Sequence, residues 1–162
     1  MRYLVFLIII ISSVFLYISI TQNKVYESDE SLVAEEYSAN WLTDLSVVQA
    51  KAKEEGKPIL MDFTGSDWCG WCIKLKKEVF SKPAFIDYAN EHLILMTVDF
   101  PNRKQQEESL KDQNNILMDA YNVKGFPTII LVDAEGKVLG ETGYRRGGPE
   151  PYVEHLKSLL NK

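Results

Sequence analysis

The chain contains only two cysteines, and they lie three residues apart in the segment Asp67–Cys72, which reads DWCGWC. Two thiols at this spacing could form a redox-active dithiol, one half of a zinc site, or a structural disulfide. A zinc site needs further sulfur or nitrogen ligands, and the only histidines are His92 and His155, at the ends of other predicted elements. A disulfide across so short a loop removes little chain entropy. The spacing therefore favours a redox pair, and no metal site is predicted.

A strand and a helix must position these two cysteines. The apolar run ILMDF, residues Ile59–Phe63, is typical of a buried strand, and Gly65 separates it from a helix that should begin near Cys69. A thiolate at a helix amino terminus faces unpaired N–H groups and the positive end of the helix dipole, and both stabilise it. Cys69, nearer the helix start and the solvent, is therefore predicted to attack a substrate disulfide. Cys72, further inside, is predicted to resolve the mixed disulfide.

Strands and helices alternate along the rest of the chain. The helix after the cysteines offers four apolar residues to the core before Pro83, which should break or kink it. These residues are Ile73, Leu75, Val79 and Phe80. The other predicted elements are a short strand near Trp41, a helix that stops at Gly56, a strand over Leu93–Phe100, a helix over Gln105–Tyr121, a hairpin around the turn AEG, and a helix from Pro149. The predicted fold class is α/β, with a mixed central sheet, helices on both faces, a terminal β-hairpin and a C-terminal helix.

The amino-terminal segment differs in composition from the rest of the chain. Residues Tyr3–Ile20 carry no charge, Arg2 precedes them, and Glu27 is the first of several acids that follow. Positive charge before such a run and negative charge after it is the polarity of an export segment whose amino end stays in the cytoplasm. We predict an export signal or membrane anchor at residues 1–23, an acidic tether at 24–40 and a folded domain at 41–162.

The length of the apolar run leaves a cleaved signal and a retained anchor both open, and a buried core helix is a third alternative. The first two place the domain outside the cytoplasm, periplasmic or secreted, and it would touch the membrane only through residues 3–20 if the segment stays uncleaved. Disulfides form and persist in such compartments. The net charge of −5 and the absence of a basic run exclude nucleic acid as a partner.

Two longer segments of the sequence resemble a known family. ILMDFTGSDWCGWCIKLKKEVF, followed by VKGFPTIILVDAEGKVLGETGY, is similar to thioredoxin and especially to its exported thioredoxin-like relatives. The resemblance covers about Trp41–Lys162. A Cys-x-x-Cys pair after an acid-bearing strand, with Phe-Pro-Thr opening a later strand and a glycine beyond it, is a specific combination. The resemblance implies a thioredoxin fold.

Asp62 stands where thioredoxin has its buried acid, so the resemblance implies that it accepts the proton of the resolving thiol Cys72. A carboxyl in an apolar strand holds its proton more tightly than one in water. The sequence departs from thioredoxin in two ways: one extra residue separates the acid from Cys69, and Leu95 replaces the lysine that thioredoxin places near the acid. A hydrogen-bonded structural acid is the alternative.

Three residues of the cysteine motif are implied to contact substrate. Trp68 shields the active-site sulfurs in the family, with core packing as the alternative. Gly70 and Trp71 lie between the cysteines, where residue types tune the relative stability of thiolate and disulfide. An exposed Trp71 could also serve as a contact platform for partner chains, and a half-buried Trp71 is the alternative.

Later residues are implied to complete the substrate groove. Pro127 resembles the cis-proline of the family, which leaves neighbouring backbone groups free for an extended substrate, and Phe126 before it narrows the groove. Gly143 matches a glycine whose side chain would crowd the substrate, with a plain turn glycine as the alternative. Arg145 and Arg146 form a small basic spot nearby, either facing an acidic partner or solvated.

Two polar features remain. A carboxylate at Asp67 close to Cys69 would disfavour the thiolate, so Asp67→Asn is predicted to shift the pair towards an oxidant. A solvated loop residue is the alternative. The polar stretch Pro101–Asn115 is predicted to be a solvated helix extension.

The resemblance implies a thiol–disulfide oxidoreductase that acts on protein disulfides. No nucleotide or flavin site is visible in the sequence, so the cysteines are expected to be the sole redox centre, without a cofactor. Gly70 and the lack of a histidine between the cysteines favour a reductase, which would draw electrons from a membrane donor. A disulfide oxidant or isomerase is one alternative. A non-catalytic thioredoxin-fold module that binds peptides at Trp68, Trp71 and Pro127 is another.

Overall fold

The computed structural model describes residues 38–161, and the compact unit that they form begins at Ala39. The predicted export segment and nearly all of the predicted tether, residues 1–37, lie outside the described residues. Within the described range, no helix is long and apolar enough to cross a bilayer.

Strands and helices alternate as the sequence predicts. In chain order they are β1 (Trp41–Leu42), α1 (Leu45–Glu55), β2 (Ile59–Thr64), α2 (Gly70–Leu75), α3 (Pro83–His92), β3 (Ile94–Asp99), α4 (Glu108–Ala120), β4 (Thr128–Val132), β5 (Val138–Thr142) and α5 (Pro149–Leu160). A π-helical turn, Lys76–Phe80, continues α2.

The strands form one mixed sheet in the order β1-β3-β2-β4-β5. β3 pairs in parallel with both β1 and β2, whereas β4 pairs antiparallel with β2 and β5. β2 therefore lies in the middle of the sheet, and its carboxyl end delivers the chain to the cysteines. The predicted fold class is confirmed.

Two apolar layers cover the two faces of this sheet. One layer contains Leu60 of β2 and packs against α2, α3 and α5, and the other contains Met61 and Phe63 and packs against α1 and α4. Successive residues of a strand point to opposite faces, so Asp62 shares the face of Leu60. That face is the one covered by α2, the helix that the cysteines begin.

Local signals in the sequence set several helix ends. Asp44 caps α1 by accepting hydrogen bonds from the amides of Ser46 and Val47, and Gly56 ends it with φ of 64°. A left-handed residue at this position is normally glycine, because a Cβ there is strained. Pro83 is the first residue of α3, where its missing N–H costs no helical hydrogen bond.

Three expectations about these elements need correction. Ile73 is 48% exposed and does not join the core, unlike Leu75, Val79 and Phe80. Pro83 does break the helix after the cysteines, but it also begins α3, a helix that the sequence pattern did not predict. The helix expected from Gln105 starts at Glu108. Residues 101–107 are therefore a loop rather than a helix extension.

Candidate active site

Cys69 and Cys72 form a disulfide at the start of α2, with their Cα atoms 5.3 Å apart. Cys69 is the amino-terminal cap of the helix, and the amide of Cys72 donates a hydrogen bond to its Sγ at 3.2 Å. In this oxidised state the two residues are 7% and 5% exposed, so exposure alone does not rank them as nucleophiles. The two sulfurs differ in helix position, since the sulfur of the cap residue Cys69 faces the unpaired amides of the first turn.

Asp62 lies in β2 on the sheet face beneath α2, and its Oδ1 atom is buried with no hydrogen-bond partner among the described residues. The pKa of Asp62 is raised to about 7, chiefly by burial and next by the negative charge of Asp99, while the positive charge of Lys76 opposes the rise. A carboxyl with this pKa can both accept and release a proton near neutral pH.

The two residues whose charges act on Asp62 are Asp99 and Lys76, and neither was predicted from the sequence as a site residue. Leu95, which replaces the lysine of thioredoxin, is part of the buried core, and the lysine whose charge acts on Asp62 is Lys76, in the turn that continues α2. Tyr152 of α5 is close enough to Asp62 to feel its charge. Burial first, and then the charge of Asp62, raise the pKa of the Tyr152 hydroxyl. No group of acids, histidines and cysteines suited to a metal occurs in the described range.

Asp67 fastens one loop beside the active site to another. Its Oδ1 accepts a hydrogen bond from the amide of Asn102 at 2.9 Å, and its Oδ2 accepts from the amides of Arg103 and Lys104 at 2.7 and 3.0 Å. These bonds, that of Asn102 foremost, hold the pKa of Asp67 below its usual range. The Asp67 carboxylate therefore binds the backbone amides of residues 102–104, and Asp67 is not a solvated loop residue.

A second set of contacts fixes Trp68 against Phe100, which follows β3, and Phe126, which precedes β4. Its indole Nε1 donates to the carbonyl of Phe100 at 2.7 Å, and its ring meets Phe126 edge-on, with 6.0 Å between centroids. Gly65 makes room for the ring, because a Cβ at this position would lie 2.5 Å from Cε2 of the indole. Trp68 is still 45% exposed, so it forms a fixed wall at the edge of the disulfide. The sequence pattern predicts Gly65 only as the residue that separates β2 from the helix.

Trp71 lies between the two cysteines in the sequence and is 52% exposed. Its ring contacts Tyr144, with 5.0 Å between centroids, and the Nζ atom of Lys74 lies 5.2 Å from the Trp71 centroid and 5.3 Å from that of Tyr144. The Tyr144 hydroxyl donates to Glu78 Oε2 at 2.7 Å. We call these four residues the Trp71 ledge. Three of them, Lys74, Glu78 and Tyr144, were not candidates from sequence.

The remaining residues that were predicted to line the substrate groove make two contacts, Gly143 with Pro127 and Phe126 with Phe100. The Phe126–Pro127 peptide bond is cis, and a Cβ at Gly143 would lie 3.0 Å from the Pro127 carbonyl oxygen. A side chain at Gly143 would thus press on the backbone of Pro127. Phe126 stacks on Phe100 at 5.1 Å and so joins the wall that holds Trp68. By contrast, a Cβ at Gly70 would meet no atom within 4 Å.

The family model of the thioredoxin-like domain matches residues 45–157. With the fold and the disulfide at the start of α2, this match places the chain in the thioredoxin-like family. The disulfide bond reductase DsbH of Chlamydia pneumoniae is 42% identical over 109 residues, which cover 67% of this chain and 66% of DsbH. The thioredoxin-related protein DsbJ of the same organism is 30% identical over 129 residues, covering 75% of this chain and 37% of DsbJ.

A solved structure of a DsbH oxidoreductase superposes with a TM-score of 0.74 at 38% identity, and the match covers 76% of this chain and 85% of that one. The aligned part thus spans just under two thirds of the DsbH sequence from Chlamydia pneumoniae and a smaller part of DsbJ.

Proposed function

We propose that this protein is an exported thiol–disulfide oxidoreductase that reduces disulfides in other proteins. The observation that carries the proposal is the Cys69–Cys72 disulfide at the amino terminus of α2, where a backbone amide donates to the sulfur of the capping cysteine. That arrangement stabilises a thiolate at Cys69 when the pair is reduced. A thiolate at that position can exchange with a disulfide presented between the exposed Trp68 and Trp71.

The first step is attack by the Cys69 thiolate on one sulfur of a substrate disulfide. The substrate S–S bond breaks, a bond forms between Cys69 Sγ and the attacked sulfur, and the other substrate sulfur leaves as a thiolate that takes a proton from solvent. The protein and the substrate are then joined by a mixed disulfide.

In the second step the Cys72 thiolate attacks Cys69 Sγ. The mixed disulfide breaks, the second substrate sulfur leaves and takes a proton, and the Cys69–Cys72 disulfide forms. We assign to Asp62 the removal of the Cys72 proton, since its pKa of about 7 suits a base near neutral pH. In total, two electrons pass from the Cys69–Cys72 pair to the substrate; one of the two protons gained by the substrate sulfurs comes from solvent, and the other balances the proton that Cys72 loses to Asp62.

The direction of electron flow is the finer part of the proposal. The relative of 42% identity is named as a disulfide bond reductase, and the motif has a glycine and no histidine between its cysteines. The reduced pair would then be regenerated by a membrane dithiol donor. Export is supported by the charge polarity around Tyr3–Ile20.

The equilibrium potential of the Cys69–Cys72 pair against glutathione tests the direction. Thioredoxin-fold proteins range from about −270 mV for reductants to about −120 mV for strong oxidants, and we expect a value near the reducing end. A value near the oxidising end would replace reduction with oxidation or isomerisation.

Turnover is tested separately. The wild type should reduce insulin with dithiothreitol as the electron source, and Cys72→Ser should accumulate mixed disulfides with substrate while Cys69→Ser should not. A wild type that neither turns over nor yields trapped partners in the Cys72→Ser form would leave a peptide-binding module.

A further inference from the structure

The Trp71 ledge presents an ordered cation to solvent beside the disulfide. Lys74 Nζ is held over two aromatic rings and lies 3.8 Å from Glu78 Oε1, with its side chain 43% exposed. Glu78 is also bound by the Tyr144 hydroxyl. An ammonium group fixed in this way is a preorganised contact, because little side-chain entropy remains to be lost when a partner binds.

Two arginines extend this ledge. Arg145 and Arg146 directly follow Tyr144 and are exposed, and neither forms an ion pair with a carboxylate between residues 38 and 161. Burial and the charge of Asp62 raise the pKa of Tyr152, while the positive charge of Arg145 opposes that rise. The Tyr152 hydroxyl donates to the carbonyl of Gly143 at 3.2 Å, so the charge of Arg145 acts at the rim of the site.

Cations of the described residues fall into two groups, those that pair with a carboxylate and those that, like these arginines and Lys53 and Lys82, do not. Several lysines in the described part of the chain do pair with carboxylates. They are Lys51, Lys57, Lys74, Lys111 and Lys157. The chain as a whole carries a net charge of −5. Arg145 and Arg146 are two adjacent exposed guanidinium groups that follow Tyr144 of the Trp71 ledge, and guanidinium is the group best shaped to bind a carboxylate through two hydrogen bonds.

We propose that the Trp71 ledge together with Arg145 and Arg146 docks an acidic segment of the substrate polypeptide, next to the disulfide that Cys69 attacks. This inference rests on the proposed function and names its substrate class. The rings of Trp71 and Tyr144 provide apolar contact area, and the two arginines receive Asp or Glu side chains a few residues from the substrate cysteine. Charge complementarity of this kind raises association rates and selects among partners.

The test uses the purified full chain, dithiothreitol as reductant and three disulfide peptides that differ only in two flanking residues, Glu-Glu, Gln-Gln or Lys-Lys. At low salt we expect kcat/KM to fall about fivefold from the Glu peptide to the Gln peptide, and further for the Lys peptide, as for two exposed charge pairs. At about 1 M salt, where the Debye length is near 3 Å, the differences should collapse.

A matched pair of variants locates the effect. Arg145→Gln/Arg146→Gln should abolish most of the preference for the Glu peptide. Lys53→Gln/Lys82→Gln makes the same change in net charge at two exposed lysines without ion pairs in the described range. Lys53 lies in α1 and Lys82 directly precedes α3, and this variant should retain the preference. Equal kcat/KM for the Glu and Lys peptides in the wild type, or an unchanged preference in the arginine variant, would overturn the docking proposal.

Failure of the proposed function would look different. If no peptide is reduced, docking is read from fluorescence anisotropy with labelled peptides in which serine replaces cysteine. Tighter binding of the Glu peptide, lost in the arginine variant, would then support the docking surface and refute the reductase. Equal binding of the three peptides would refute the docking surface as well.

Discussion

Asp62 lies in β2 and Asp67 lies five residues later, in the turn that follows. The pKa values of these two aspartates are shifted in opposite directions. Asp62 has a buried oxygen without a hydrogen-bond partner in the described range, and its pKa is raised to about 7. Asp67 accepts three backbone hydrogen bonds, and its pKa is lowered. The chemical group is the same, so the difference comes from the surroundings: desolvation favours the neutral acid at Asp62, and amide donors favour the carboxylate at Asp67.

The contrast separates a residue suited to proton transfer from one suited to holding a loop. Asp62 is costly to keep ionised, because no donor between residues 38 and 161 bonds to its buried Oδ1 atom. Asp67 is satisfied by its partners and connects the turn after β2 to the loop after β3. An acid beside a redox motif is thus not by itself evidence of a chemical role, and its hydrogen bonds decide which role is possible.

The largest expected effect is on the pH dependence of stability. The pKa of Asp62 is raised from 3.8 to about 7 on folding, so between about pH 4 and pH 7 the folded protein retains a proton that the unfolded chain releases. Stability should therefore fall as pH rises through this window and stay level above it. The shift corresponds to about 4 kcal/mol at most, and less to the extent that the partly exposed side chain stays hydrated.

Urea unfolding of the oxidised wild type, Asp62→Asn and Asp67→Asn from about pH 2 to about pH 8 measures this effect. The Asp62→Asn variant should lose most of the decline. Asp67→Asn is the control with the opposite sign, because a lowered pKa contributes stability that is present above pH 3.8 and lost in acid. Equal slopes for Asp62→Asn and the wild type would contradict the raised pKa of Asp62.

The second prediction concerns the rate of the resolving step. General acid–base groups typically contribute 10²–10⁴-fold, so Asp62→Asn should slow resolution by Cys72 about 100-fold at pH 7. The wild-type rate should rise with an apparent pKa near that of Asp62, and the variant should lack this titration. Stopped-flow decay of a preformed mixed disulfide on Cys69 measures it directly. A merely structural acid would change stability without removing the titration from the rate profile.

The third prediction disturbs the loop of Asp67 and leaves Asp62 in place. Gly65→Ala places a Cβ 2.5 Å from the Trp68 ring, so the indole must move and lose its hydrogen bond to Phe100. We expect a loss of about 1–3 kcal/mol in the free energy of unfolding, the usual cost of overpacking. Trp fluorescence should change with it.

Gly70→Ala is the matched control for that change. Its Cβ would meet no atom within 4 Å, so stability should change by no more than about 0.5 kcal/mol. Equal costs for the two glycine variants would show that Trp68 is not held in the way described.

The smallest expected effect is that of Asp67→Asn on the cysteines. Three backbone amides already stabilise the carboxylate charge of Asp67, so removing that charge should change the stability of the Cys69 thiolate only slightly. This expectation replaces the sequence-based prediction that Asp67→Asn shifts the cysteine pair towards an oxidant. The change should instead appear as faster amide hydrogen exchange at Asn102–Lys104, since an amide side chain cannot replace both carboxylate oxygens as acceptors. Thiolate absorbance against pH is the second measurement. A large change there with unaltered exchange would restore the electrostatic role.

Much of the fold could be predicted because its signals are local. Apolar runs, the turn AEG and the glycine and proline at helix ends all act within a few residues, and the structure has strands and helices close to the expected positions. The helix that begins at Pro83 was not predicted, because a proline is typical both of the end of one helix and of the start of another. Ile73 was misassigned because the helix face that meets the sheet depends on the packing of α2.

The candidate site divides in the same way. Cys69 and Cys72 were predicted from residue type and spacing, and Asp62, Trp68, Trp71 and Pro127 were predicted through the resemblance. Their partners were not identifiable. The amides that bind Asp67 are 35 to 37 residues away, and the hydroxyl of Tyr144 is 66 residues from its acceptor Glu78.

The sequence by itself determined the alternation of strands and helices, the dithiol at a helix start and an acid in the strand before it. These follow from periodicity, capping and side-chain chemistry, which operate over a few neighbouring residues. Only the tertiary structure decided that Asp62 is desolvated, that Asp67 is bound to a distant loop, and that Trp71 meets Tyr144. Proton affinity and surface shape depend on which distant groups are brought within a few ångströms, and pairing and packing of the sheet establish those distances.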